Sequence, residues 1–123
     1  LLANTSLIDL RGQTSLIQLA GACRQARAVV SVDAGPLHIA AAVGTPTLAV
    51  VGNDQSGTGA SPIRLWLPRG EHVSRTMSPE RCDRCSEERF RNDQCLVGGH
   101  PCMTGISAQQ VINWLTANFK ELL

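Results

Sequence analysis

Ala28-Val29-Val30-Ser31-Val32-Asp33-Ala34-Gly35-Pro36-Leu37-His38-Ile39-Ala40-Ala41-Ala42-Val43-Gly44-Thr45-Pro46 decides the fold. Its first five residues are an apolar, β-branched run of the kind that forms a parallel strand covered on both faces. Asp33-Ala34-Gly35 then turns the chain, and Pro36 suits the first turn of a helix because its missing N–H costs nothing there. The helix runs through Leu37, Ala40 and Ala41 to Gly44, a natural C-terminal stop. Residues 46–51 are again apolar and read as the next strand.

Working outward, residues 6–10 read as a further short strand. Thr14-Ser15 opens a helix, since Ser15 and Gln18 have the spacing of a capping box. Leu16, Leu19, Ala20, Cys23 and Ala26 follow at helical spacing as one buried stripe, with Cys23 as core filler. Short strands alternating with helices imply right-handed crossovers and a parallel sheet. The fold class is therefore α/β, a Rossmann-like half-domain. Three strands are few for an open sheet, so more strands are expected before Leu1.

The downstream half differs. Gly52 opens a glycine-rich loop at a strand end, and residues 63–67, flanked by Pro62 and Pro68, read as a short edge segment. Residues 69–105 hold Arg, Cys and Gly without a sustained period and are expected to be irregular. Order returns at Ser107, which pairs with Gln110 as a second capping box. Val111, Trp114, Leu115, Phe119 and Leu122 then line one face of a closing amphipathic helix. The expected organisation is a Rossmann-like part over residues 1–68, a cysteine segment over 69–105, and a C-terminal helix over 106–123.

Composition bounds the function. The chain has 123 residues, 43% of them hydrophobic, and a formal net charge of +1, which offers no general attraction to nucleic acid. The basic residues between Arg69 and Arg91 are nearly cancelled by Glu71, Glu80, Asp83, Glu87 and Glu88, and Phe90 alone could stack on a base. The longest unbroken apolar run, residues 39–44, is far too short to span a bilayer. With no export signal in view, the expected compartment is the cytoplasm.

The chemistry is expected at Asp33, Ala34, Gly35, Pro36 and His38. In parallel α/β sheets ligands bind beyond the carboxyl ends of strands, where these residues fall. A helix N-terminus offers N–H groups and a positive dipole end to a phosphate. Gly35 allows close approach, His38 can donate to the same anion, and Asp33 can accept from a sugar or ribose hydroxyl. Read without other context, the same residues are equally an ordinary helix start and a solvated histidine.

Four of the five cysteines fall together. Cys82 and Cys85 form a CxxC pair, nine residues separate Cys85 from Cys95, and six more separate Cys95 from Cys102. Four soft ligands in a loop-rich stretch suit one structural zinc or iron ion, and Gly98-Gly99 supplies a bend before the last ligand. Arg81, Arg84 and Arg89 would offset the thiolate charge, and His100 is a candidate to replace Cys102. The other readings are two disulfides or free thiols, which a reducing cytosol disfavours in the first case.

The run from Thr14-Ser15-Leu16 through Val32-Asp33-Ala34-Gly35-Pro36-Leu37-His38-Ile39-Ala40-Ala41-Ala42-Val43-Gly44-Thr45-Pro46 to Val51-Gly52 resembles the heptosyltransferase family, the family nine glycosyltransferases. That family pattern is Asp-Ser/Thr-Gly-Pro-x-His, an alanine-rich helix, Gly-Thr-Pro and a strand ending in glycine. The resemblance implies the C-terminal donor domain of a two-domain GT-B enzyme that transfers heptose from ADP-heptose with inversion. It implies that Gly35 and its neighbours hold the diphosphate, with His38 in contact and Asp33 on the donor sugar. Ala34 departs from the family's Ser or Thr and loses a hydroxyl contact. Gly52-Asn53-Asp54 departs from the commoner Gly-Pro-Thr, which weakens the assignment of Gly52 and Asn53 to the donor site.

By the same resemblance the general base lies in an N-terminal acceptor domain outside this chain, so no catalytic residue is assigned. Ala60-Ser61-Pro62-Ile63-Arg64-Leu65-Trp66 with the cysteines resembles the autotransporter heptosyltransferase branch, in which four cysteines hold an iron and the acceptor is a protein serine. The implied partners are an ADP-sugar donor and the acceptor domain, with a homo-oligomer left open. The competing reading is a non-catalytic nucleotide-binding or metal-stabilised interaction module.

Overall fold

The computed structural model describes residues 7–52, 63–80, 82 and 95–120. In chain order the elements are α1 (Leu16–Gln25), β1 (Val29–Val32), α2 (Gly35–Ala42), β2 (Thr47–Val50), α3 (Ile63–Trp66), β3 (Val73–Thr76), α4 (Pro101–Thr104) and α5 (Ala108–Asn118). The strands form one parallel sheet in the order β1-β2-β3. This is the parallel α/β arrangement the alternation of elements calls for.

Local chemistry explains where the helices begin and end. Ser15 caps α1 by accepting from Gln18 N, while the Gln18 side chain accepts from Ser15 N, so the capping box is complete. Gly44 follows α2 at φ +80, a left-handed conformation that suits glycine and sends the chain back towards β2. Ser107 and Gln110 close a second complete box at the start of α5.

Side chains sort onto two faces of the sheet. Register pairs Val29 with Thr47 and Ser31 with Ala49, so these residues share a face. On that face Leu37 of α2 packs with Ala49 and Val51, and Leu67 and Met77 close over them. Leu37 is fully buried there. Leu48 and Thr76 lie on the opposite face, where the Gln110 amide of α5 donates to Thr76 Oγ1 at 3.0 Å and to the Met77 carbonyl at 2.8 Å.

Polar groups fasten the connections. Thr45 Oγ1 is buried and donates to the Cys23 carbonyl at 2.8 Å, tying the end of α1 to the approach of β2. His72 Nε2–H donates to the Ala41 carbonyl at 2.9 Å, fixing the entry to β3 against the end of α2. Cys23 is buried as core filler.

Five expectations need correction. No strand forms over residues 7–10: Leu7, Ile8 and Leu10 are exposed, and the segment curls instead, with Gln13 N bonded to the Leu10 carbonyl and Asp9 bonded to Arg11. The stripe on α1 is narrower than its periodicity suggests. Cys23 is buried and Leu19 and Ala20 half-buried, but Leu16 is 75% exposed and Ala26 is exposed too, because α1 packs on α2 only through its inner side.

The strand over residues 29–32 is not covered on both faces either. It is paired on one side only, and Val30 and Val32 are 44% and 53% exposed. Residues 63–66 form a helical turn rather than an edge segment. Residues 73–76, expected to be irregular, are the third strand of the sheet.

Of the closing helix, Val111, Trp114, Leu115 and Phe119 are half-buried on one side, while Leu122 lies outside the described residues. The Trp114 and Phe119 rings meet edge to face with centroids 5.9 Å apart, and the Arg27 guanidinium lies over Phe119.

Candidate functional site

Three parallel strands end on the same edge of the sheet, and the candidate site is built there. Register sets Val32 beside Val50 and Val50 beside Thr76. Asp33 therefore leaves β1, Gly52 leaves β2 and Ser78 leaves β3 at neighbouring points. Asp33, Ala34, Gly35, Pro36 and His38 are all exposed, and Gly52 is half-buried. Asn53 lies outside the described residues.

The start of α2 has the form a phosphate would use. Ala34 is its N-cap, with an extended backbone at φ −153 and ψ 173, and it makes no side-chain cap hydrogen bond. A serine, threonine or aspartate there would turn an oxygen onto the first-turn N–H groups. Alanine cannot, so the positive end of this helix is not neutralised by its own cap. A Cβ built on Gly35 meets nothing within 4 Å, so the space beside this backbone is open. Gly35 is not left-handed; its value lies in that space rather than in its conformation.

The second half of the edge is occupied by α4. A Cβ built on Gly52 comes 3.9 Å from Met103 Sδ. A Cβ on Gly105, just past α4, would collide with Ser78 Oγ and would come 2.9 Å from the Pro101 carbonyl. Ser78 is buried. The short helix thus rests on the chain leaving both β2 and β3, a placement that nothing in its local sequence announces.

The cysteine segment is partly described. Cys82, Cys95 and Cys102 are half-buried free thiols, and Cys85 lies outside the described residues, as do Arg81, Arg84 and Arg89. Gly98, Gly99 and His100 follow one another with φ of 76, 71 and 49, so the expected bend is present and extends one residue further. This curl turns backbone N–H groups onto the Cys95 sulfur. The Val97 N–H is the strongest influence, with His100 and Gly98 adding to it, and together they hold the Cys95 thiol below its ordinary range against a smaller opposing effect of burial. Among the described residues, no group of three or more His, Cys, Asp or Glu side chains is placed to hold a metal ion.

The family model for glycosyltransferase family 9 (heptosyltransferase) matches residues 2–93. The chain belongs to this family. The match takes in the whole of the family 9 sheet together with the start of α2, Cys82 and Cys85; Cys95, Cys102, α4 and α5 lie beyond it. No curated protein and no solved structure matches the chain. Among the described residues of this family 9 chain, no helix is long and apolar enough to cross a membrane.

Proposed function

We propose that this family 9 chain is the donor-binding part of an inverting glycosyltransferase that moves heptose from ADP-heptose to a lipopolysaccharide-core or protein acceptor. One observation supports the placement above others: α2 starts without a side-chain cap, beside open space at Gly35, on the carboxyl edge of a parallel sheet.

In this reading the diphosphate sits against the first turn of α2. Gly35 lets it approach the backbone, His38 donates to it, and Asp33 accepts from a hydroxyl of the donor sugar. As the acceptor oxygen attacks the anomeric carbon, the bond to the diphosphate breaks and negative charge grows on the leaving group. Fixed N–H dipoles at the helix end stabilise that charge without reorganising. The base that takes the acceptor's proton is assigned to no residue of this chain.

Cys82, Cys85, Cys95 and Cys102 are proposed to hold one structural zinc or iron ion. Their donor chemistry fits, since four thiolates leave no open position on a tetrahedral ion. The N–H groups directed at the Cys95 sulfur suit a thiolate rather than a neutral thiol. A non-catalytic, metal-stabilised interaction module would share this metal but would show no preference for nucleotides, whereas a non-catalytic nucleotide-binding module would bind ADP without turnover.

Calorimetric titration of the chain with ADP tests the placement. His38→Ala is expected to weaken binding by about tenfold, the worth of one hydrogen bond to a charged group. Equal affinity in the variant would remove His38 from the site.

A further inference from the structure

The site described above accounts for the β1 side of the sheet edge but leaves the β2 side without a ligand contact. Met103 stands there. It lies in α4, which is seated on the sheet edge by its following residue: Gly105 N donates to the Pro101 carbonyl at 3.1 Å and packs against Ser78, leaving no room for a Cβ. The turn is also fixed from its start, where the left-handed His100 accepts from Met103 N at 2.8 Å and from Thr104 N at 2.9 Å. Thr104 Oγ1 adds a bond to the Gly99 carbonyl at 3.0 Å.

The seating aims Met103 at Gly52, with Sδ 3.9 Å from where a Cβ would be, and leaves the residue 39% exposed. The thioether therefore lies within ordinary contact range of the chain at the end of β2. An exposed methionine pinned by its backbone at a strand end is poorly explained by core packing. It is well suited to an adaptable apolar contact with a ligand.

We infer that Met103 is a specificity-determining residue of the donor site, making the apolar contact with the ring of the transferred sugar. This rests on the donor-site reading of α2 given above. A sugar presents hydroxyls on its rim and C–H groups on its faces, so it needs a polar and an apolar neighbour together. Asp33 and Gly52 leave adjacent strands at the same edge, so a sugar between them meets the Asp33 carboxylate with a hydroxyl and Met103 with a C–H face. In this arrangement the diphosphate lies at the start of α2, which follows β1, while Met103 lies at the end of β2.

The test compares two ligands by calorimetry, ADP and ADP-heptose, on the whole chain and on Met103→Ala and Met103→Leu. Removing an apolar contact of this size is expected to cost ADP-heptose roughly tenfold in affinity. ADP affinity should be unchanged, and Met103→Leu should restore ADP-heptose binding. Unchanged ADP-heptose affinity in Met103→Ala, or an equal loss for both ligands, would overturn the assignment to the sugar while leaving the α2 site standing. Failure of the unsubstituted chain to bind either ligand would overturn the site reading and this inference with it.

Discussion

Gln110 is bound at both ends of its side chain: its Oε1 accepts from Ser107 N at 2.8 Å, and its Nε2 donates to the Met77 carbonyl at 2.8 Å. One residue thus completes the cap of α5 and fastens that helix to the chain leaving β3. The two roles separate by substitution. Gln110→Ala removes both and is expected to destabilise the fold by about 1–3 kcal/mol, the sum of a lost cap and lost tertiary bonds. Gln110→Glu keeps the cap acceptor but has no N–H to give, so a loss of roughly 1 kcal/mol or more is expected from the unmade bonds alone. Urea denaturation of the three proteins checks this. A Gln110→Ala midpoint equal to that of the original chain would show that α5 is held by its apolar face only.

The cysteine segment makes a second prediction. Between Cys82 and Cys102 the large apolar residues are chiefly Phe90, Leu96 and Val97, and both Leu96 and Val97 are exposed. They do not offset the cost of ordering some twenty residues at about 1–2 kcal/mol each. Metal binding is expected to supply the difference. Elemental analysis should find close to one zinc or iron per chain, and Cys85→Ser should lose it. Hydrogen exchange after chelation should speed up over residues 80–104 while the sheet stays protected. A metal-free chain with paired cysteines would replace the ion by disulfides and remove the argument for a reducing compartment.

What was legible in the sequence was mostly local. Both capping boxes need only a serine and a glutamine three residues apart, and both are complete. The core of the fold, β1 through β2, was legible because apolar β-branched runs, a proline near a helix start and a glycine at its end each act within a few residues. The misreadings came from long-range effects. Residues 6–10 carry strand-like residues, but no pairing partner is found for the described part, and a strand is stable only when paired. Val73–Thr76 was missed for the opposite reason. It is a polar edge strand, with Ser74 and Arg75 in its centre, and it is recruited by pairing to β2 rather than by its own pattern.

The site divides in the same way. Asp33, Gly35 and His38 are proposed from the sequence because a strand, a turn and a helix start follow one another along the chain. Met103 is proposed from the structure alone, since its neighbour Gly52 lies about fifty residues away in the chain and α4 is placed by contact between Gly105 and Ser78. Ala34 brings no hydroxyl to the site, and α2 shows the physical consequence: a helix end with no side-chain cap of its own.

The central claim, that a diphosphate binds at the start of α2, is tested most directly by titrating ADP into Gly35→Val. Gly35 has an ordinary backbone conformation and open space where a side chain would go, so the variant is expected to fold with an unchanged circular dichroism spectrum. Its branched side chain would fill the space that the phosphate needs. A folded Gly35→Val with no measurable ADP binding, beside an original chain that binds, is the result expected. A folded Gly35→Val that binds ADP as well as the original chain would place the nucleotide elsewhere.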